Sequence, residues 1–486
     1  LDHLFSFLKD SSGRSAARAV TLAARPSMRA RPEEVRSEQE HVDRRVLRRI
    51  DLCCRLGRGA YGIVWKGVER RGRRRVVALK KSFNAFGSSS DAQRTYREIS
   101  YLRVLSGHVN VIQLKNVIRS ENDLDVYLVF EFMETDLHAV IRADLLEDVH
   151  KRYVSYQLLK ALKYVHSAGV VHRDVKPSNM LLNENCHMKL CDFGLCRSAG
   201  DDGAEKTNHR QKKALAQYDV ATRWYRAPEI LLGSALCLPG LDLWATACII
   251  GEMYQGSPVL PGDSTDDQIR KILSLVDSTG TPDNDPTATL ALLVERRRAN
   301  EEEDDHHRAL NEDQESSSRS NPPDHDDDDD DDENCDDYDS SSSDGGRCRQ
   351  KKSGLASWFL RECVEARPLC AGMLRLDPRS RVTAARALSD DWLAAFRGTE
   401  HEPSFGKPKV QLNIADDERL TAAQYRDHLF VDLLKHKKKP PRPRNPLLGD
   451  HLEGDDDDND GNPSTTPATG GGPSTPPMSQ HRGGAA

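Results

Sequence analysis

The stretch from Val171 to Gly194, VHRDVKPSNMLLNENCHMKLCDFG, narrows what this chain can be more than any other part of it. Short apolar runs within it are flanked by loops that carry Asp174, Lys176, Asn179 and Asp192. A loop carboxylate can accept the proton of an attacking hydroxyl, so Asp174 is a candidate general base. Asparagine and aspartate oxygens are the hard ligands that Mg2+ prefers, which makes Asn179 and Asp192 candidate metal ligands. These are the tasks of phosphoryl transfer. Stray acids on a surface loop are the bland alternative, disfavoured because further parts of such machinery precede and follow the stretch in order.

Upstream, Gly57 to Val64 spell GxGxxGxV, weak by itself. In a hairpin, those glycines let backbone amides approach phosphates with no Cβ in the way. The β-like run Val76–Lys80 ends in a lysine 18 residues after Gly62, and Lys80, not Lys81, is the expected α/β-phosphate partner. A further 18 residues on, Glu98 falls in a helical stretch, Asp91 to Leu105, where it can pair with Lys80. A strand over Val126–Phe130 leads to a hinge whose backbone around Glu131 and Met133 is expected to hold adenine. Phe130 would form the back wall of the pocket and Asp136 would reach the ribose. Val154, Leu158, Ala161, Leu162 and Val165 have helical spacing, and Gly169 stops that helix ahead of the catalytic stretch.

Composition sets the outer bounds. With 486 residues, 37% of them apolar, and a mean hydropathy of −0.67, much of the chain lies outside any core. Residues 301 to 344 hold 21 acidic side chains against two Arg, a local charge of −19; the whole chain carries −7, so the rest is about +12. Scattered basic residues point to solvated surface, and no specific nucleic-acid site is expected. Eleven Cys show no CxxC pair, which fits reduced thiols better than disulfides or a zinc site. No apolar run is long enough to span a membrane.

On these residues the chain resembles a eukaryotic Ser/Thr protein kinase over about residues 43 to 396. VATRWYRAPE at 220 to 229, METDL at 133 to 137 and DAQRTYREI at 91 to 99 are similar to mitogen-activated protein kinases. YLVFEFMETDL, KPSNMLLNENCHMKLCDFGL and ERLTAAQYRDHLF bring it nearest to the atypical extracellular-signal-regulated branch. The resemblance implies an α+β, bilobal fold: a β-rich small lobe (about 43–131) with one main helix and a larger, mostly helical lobe (about 134–396). It implies ATP and Mg2+ as cofactors. The nucleotide would be bound by Leu56, Gly57, Gly59, Gly62, Val64, Ala78, Lys80, Glu131, Met133 and Asp136. Lys176 would stand near the γ-phosphate, and Thr222 would bridge it to Asp174. Glu229 would pair with Arg381, a structural contact. Arg173, Arg223 and Arg226 would gather phosphates of the activation segment.

That segment departs from the family. Where active members have Thr-x-Tyr, this chain reads Gln217-Tyr218-Asp219. Asp219 would offer one negative charge to Arg223 and Arg226, against about −1.5 to −2 for a phosphate. Solvation of a drifted segment is the equal alternative, and Tyr218 is a second candidate phosphosite. Ala247 and Cys237 replace residues common in the family, as packing changes.

The remainder is expected to be peripheral. Residues 1–42 form a disordered leader with a faint likeness to a transit peptide, and the natural beginning is expected to lie upstream of Leu1. An acidic insert over about 290–352 includes seven consecutive Asp, 326 to 332, and is expected to stay solvated. Ala384 to Phe396 should close the large lobe as one amphipathic helix. Residues 397–434 resemble an extension packed back on the small lobe, with Glu400 and Glu402 the sole acids for a docking groove. The disordered tail, 435–486, opens with a basic, Pro-containing run (435–444) readable as an SH3-type ligand, an import signal or a plain linker.

The sequence thus points to an ATP-dependent, proline-directed Ser/Thr kinase, monomeric, cytoplasmic and nuclear. Its protein substrates would carry Ser/Thr-Pro sites. A pseudokinase scaffold is the rival from another class. A cyclin-dependent or glycogen-synthase-kinase-like relative is a second, and DAQRTYREI disfavours the cyclin version.

Overall fold

The computed structural model describes residues 41–59, 61–200, 223–234, 236–279, 364–398, 402–416 and 418–437, without side chains at 277–279 and 435–437. Residues up to Leu434 form one unit; of a second, Lys435–Ala486, only the first three residues are described. The leader before 41, the acidic insert, the tail after 437, Glu400, Tyr218, Asp219 and Thr222 lie outside the described residues.

Period-two alternation decides which side chains face the cleft. Strands β1 (Ile50–Gly59), β2 (Gly62–Glu69), β3 (Val76–Ser82), β4 (Leu114–Arg119) and β5 (Val126–Glu131) form an antiparallel sheet in the order β1-β2-β3-β5-β4. Ile63, Trp65, Val77 and Leu79 point to one face and form a core with Val42, Val46, Ile50, Tyr127 and Val129. Val64 pairs with Lys80, and Lys66 with Ala78, on the opposite face. Lys81 therefore turns away from Lys80; it is buried against Asp125 at 3.2 Å and donates to the His41 carbonyl at 2.9 Å.

Helix α1 (Ser89–Val104) is capped by Ser88, whose hydroxyl accepts from Asp91 N at 3.1 Å. Ala92, Tyr96 and Ile99, at i, i+4 and i+7, pack on Val126 and Leu128 of β5. The same cluster takes in Ile414, Tyr425 and Leu429, the last two from a C-terminal helix, Ala422–Lys437.

The helical lobe centres on α2 (Asp148–Ser167) and α3 (Gly240–Gln255). α2 begins six residues before Val154, the first residue of the apolar spacing, because Glu147 and His150 close a capping box. α3 is buried around its circumference from Gly240 to Met253, and Ala247 fits there with no exposed surface. Glu229 and Arg381 form a two-pronged pair at 2.6 and 2.7 Å beneath Trp244.

The structure corrects one helix. Ala384–Phe396 is a single turn (Ala384–Ala387) followed by a 3-10 helix (Asp391–Phe396). Asp390 breaks the run by accepting from Trp392 N at 3.0 Å and starting a new helical end.

Candidate active site

The hairpin Gly57–Gly62 closes with Gly59 opposite Gly62. A Cβ on Gly62 would sit 2.2 Å from the Lys81 carbonyl oxygen, so the hairpin itself requires that glycine; at Gly57 or Gly59 it would meet nothing within 4 Å. Those two keep space open above the cleft. Leu56 is exposed, Val64 and Ala78 are half-buried and Met133 is buried, giving the cleft an apolar rim.

Below the hairpin, Lys80 Nζ lies 2.8 Å from Glu98 Oε1. Burial pulls the ammonium toward losing its proton, but Glu98 and Asp192 outweigh it and hold Lys80 above its ordinary value. The lysine is a fixed cation aimed into the site.

The catalytic stretch is held from beneath. Asp242, buried at the start of α3, accepts from His172 N (2.9 Å), Arg173 N (2.8 Å) and His166 Nε2 (2.8 Å). Those bonds sustain the left-handed backbone of Arg173, φ 68°. Asp174 then meets Lys176 Nζ at 2.9 Å and Asn179 Nδ2 at 3.0 Å. Asn179 Nδ2 also donates to the Asp174 carbonyl at 2.9 Å. Its amide hydrogens are thereby spent, and Oδ1 remains as an acceptor.

Asp192 has a left-handed backbone, φ 59°, and sits beside Phe193, whose ring meets His172 edge-on at 4.9 Å. Burial raises its carboxyl, yet Lys80, Arg94 and Lys176 pull it below the usual carboxylate range, so it is an anion. This carboxylate and Asn179 Oδ1 are hard oxygens on adjoining loops, a donor set that fits a Mg2+ ion completed by phosphate and water.

Several expected residues have other partners. The Asp136 carboxylate caps a short helix, accepting from Ala139 N at 2.9 Å. Glu131 uses its side chain on Lys189 (2.9 Å) and Gln113 N (2.8 Å). Arg223 donates to the Asp263 carbonyl at 2.9 Å. Arg226 is half-buried, and the loss of water around it lowers its pKa, with the Asp174 charge opposing. Glu402 accepts from Tyr156 OH at 2.7 Å and is bridged to Lys163 at 3.4 Å. Cys191 is half-buried, its thiol pushed well up by burial and the neighbouring Asp192.

Arg94 was not anticipated. It lies 3.5 Å from Asp192 and 5.4 Å from the centre of the Tyr61 ring, spanning the phosphate corner. Its place four residues before Glu98 on α1 was the available signal, since i and i+4 share a face. The grip of Asp242 on the catalytic loop is a tertiary fact, made across about 70 residues of chain, that no local pattern signals.

The fold and cleft define a class, and the family model described as "Protein kinase domain" matches residues 51–393. Extracellular signal-regulated kinase 2 of Dictyostelium discoideum is 40% identical over 401 residues, covering 82% of this chain and 94% of the relative. Mitogen-activated protein kinase 15 of Xenopus laevis is 38% identical over 448 residues, 90% of this chain and 66% of the relative. That of Mus musculus is 53% identical over 236 residues, 48% of this chain and 42% of the relative. The chain belongs to the protein kinase family and, within it, to the mitogen-activated kinases. It spans nearly all of the first relative and less than two thirds of the other two. No helix among the described residues is long and apolar enough to cross a membrane.

Proposed function

We propose that the chain transfers the γ-phosphate of ATP to Ser or Thr of protein substrates, with proline following the acceptor. The observation that carries this reading is the Lys80–Glu98 pair at 2.8 Å above a loop holding Asp174, Lys176 and Asn179 within about one hydrogen bond of each other. The proline preference rests on likeness to the relatives.

In this mechanism Lys80, fixed by Glu98, holds the α/β-phosphates, while the amides of the Gly57–Gly62 hairpin cover them. Asp174 takes the proton of the acceptor hydroxyl, and Lys176, 2.9 Å away, steadies the transferring phosphoryl group. Asn179 and Asp192 hold Mg2+, which when bound neutralises developing phosphate charge. Leu56, Val64, Ala78 and Met133 enclose the base, and backbone groups of Glu131 and Met133 orient it. Asp136 reaches the ribose only by giving up its cap.

The altered activation segment is part of the proposal: with Gln217-Tyr218-Asp219, dual Thr/Tyr phosphorylation at those positions is absent, and Arg173, Arg223 and Arg226 serve Asp219 or phosphorylated Tyr218. Thr222 bridges Asp174 and Lys176. We also propose a kinase domain over 43–396 interrupted by an acidic insert, an extension over 397–434, and a basic run at 435–444 that binds an SH3-type or import receptor. That run would place the protein in both cytoplasm and nucleus.

The test is ATP turnover by phosphatase-treated full chain on matched Ser-Pro and Ser-Ala peptides, beside Asp174→Ala. Turnover confined to Ser-Pro and lost in the variant is expected. ATP binding with no turnover above the variant would favour the scaffold reading.

A further inference from the structure

Behind the cleft, three guanidinium groups come from three different elements. Arg97 is on α1, next to Glu98; Arg173 is on the catalytic loop; Arg197 follows the Asp192-Phe193-Gly194 turn. Like charges drawn together this way need an anion. Burial and the charges of Arg173 and Arg97 lower Arg197 to about 10, and Asp416 acts in the other direction. Arg197 Nε is buried with no hydrogen-bond partner among the described residues.

Asp416 is the carboxylate that enters this cluster, and it comes from the segment that precedes the C-terminal helix. Arg97 Nε donates to its Oδ1 at 3.2 Å and Arg97 Nη2 to its carbonyl at 2.8 Å. Its other oxygen, Oδ2, accepts from Ser198 N at 2.9 Å. One side chain therefore joins the helix that carries Glu98 to the strand that leaves Asp192. The segment has little freedom to put it elsewhere. Ile414, Tyr425 and Leu429 are buried against α1, Tyr425 lies 5.9 Å from Tyr96, and Ser89 Oγ donates to the Leu420 carbonyl at 2.5 Å.

We propose that Asp416 is a positioning residue for phosphoryl transfer: a carboxylate built into the C-terminal segment that takes the anion's place between Arg97 and the start of the activation segment. It acts through Arg97 and Ser198, holding Glu98 against Lys80 and Asp192 in register with Asn179. This inference rests on the kinase reading above. It gives the chain an internal source of negative charge at a junction that joins both halves of the site, independent of the Gln217-Tyr218-Asp219 positions.

The experiment uses phosphatase-treated full chain with ATP, Mg2+ and a Ser-Pro peptide, together with equilibrium binding of a fluorescent ATP analogue. Asp416→Asn should lower kcat on the order of tenfold, the effect of one lost charge-assisted hydrogen bond. It should also weaken ATP while leaving the peptide KM unchanged. Asp416→Glu should restore most of the loss, and Asp416→Asn combined with Arg97→Gln should be no worse than either alone. Ser89→Ala, which loosens the same segment on the same helix without touching the arginines, should keep kcat.

Wild-type kcat and ATP affinity in Asp416→Asn would overturn the proposal. So would additive losses in the double variant, or an equal loss in Ser89→Ala, which would reduce Asp416 to a docking contact. If the wild-type chain turns over no faster than Asp174→Ala, the kinase reading fails separately. The ATP-binding arm still decides this proposal, expected weakening in Asp416→Asn supporting it and unchanged affinity overturning it.

Discussion

Two groups of charges in this molecule are built on opposite plans. Glu229 and Arg381, under Trp244, are almost fully buried and bonded through both prongs, with the remaining guanidinium hydrogens spent on the carbonyls of Arg375, Leu376 and Gly240. At the phosphate corner, the pairs Lys80–Glu98, Arg94–Asp192 and Lys176–Asp174 each meet through one nitrogen–oxygen contact of 2.8 to 3.5 Å, and Lys80, Arg94 and Asp192 keep about a quarter of their side-chain surface exposed. A saturated pair has nowhere else to go and serves as a rivet. Singly bonded charges can exchange partners, as a site that receives a polyanion and a cation must.

The largest expected effect sharpens this contrast from the chemical side. Asp174→Asn should cut kcat by roughly 10²- to 10⁴-fold, the usual worth of a general base. Its thermal midpoint should barely change, because an amide can retain the contacts at the loop. A large stability loss instead would mean that this carboxylate belongs to the rivet class.

Arg381→Met breaks the opposite member of the comparison. Leaving Glu229 buried without its partner should destabilise the fold by about 3–5 kcal/mol, measured by urea unfolding. A stable Arg381→Met protein would show that the Glu229–Arg381 pair is no rivet.

His108 gives a third, intermediate case. Burial, helped by Lys160 and Lys189, pushes its imidazole down to about 4, and the ring stacks on Tyr164 at 4.6 Å. A histidine with a depressed folded pKa stabilises the fold above its unfolded value, and that contribution disappears as pH falls. Stability should therefore drop by about 3 kcal/mol between roughly pH 6.5 and 4. His108→Asn should flatten that limb of the pH–stability curve; a limb of equal depth in the variant would assign the loss to other groups.

The smallest effect concerns Arg94. Replacing it by Gln removes one competitor for Asp192, so half-saturation by Mg2+ should shift to lower concentration by less than about fivefold, the scale of a partly exposed pair worth about 0–1 kcal/mol. A titration of turnover against Mg2+ reads this directly. A weaker Mg2+ response in the variant would show that Arg94 supports the metal site.

Much of the site was legible because its parts are local. Lys80 rather than Lys81 follows from period-two alternation, and the structure puts the two on opposite faces of β3. Lys80 and Glu98 could be matched because each sits in an element with a clear pattern. Asp174, Lys176 and Asn179 lie within six residues, where chain geometry alone keeps them together. The single helix expected over Ala384–Phe396 is broken because Asp390 competes for backbone amides at short range, a choice that apolar spacing does not reveal.

What the sequence determined by itself was this local grammar: which residues form the sheet, which lysine faces the cleft, and which loop carries the acids. Tertiary structure alone decided that Asp136 spends its carboxylate on a cap, that Arg94 reaches across to Asp192, and that Asp416 meets Arg97 across 319 residues of chain. The reason is physical. Alternation and helical periodicity follow from the backbone and act over a few residues, whereas a partner hundreds of positions away is chosen by how whole elements pack.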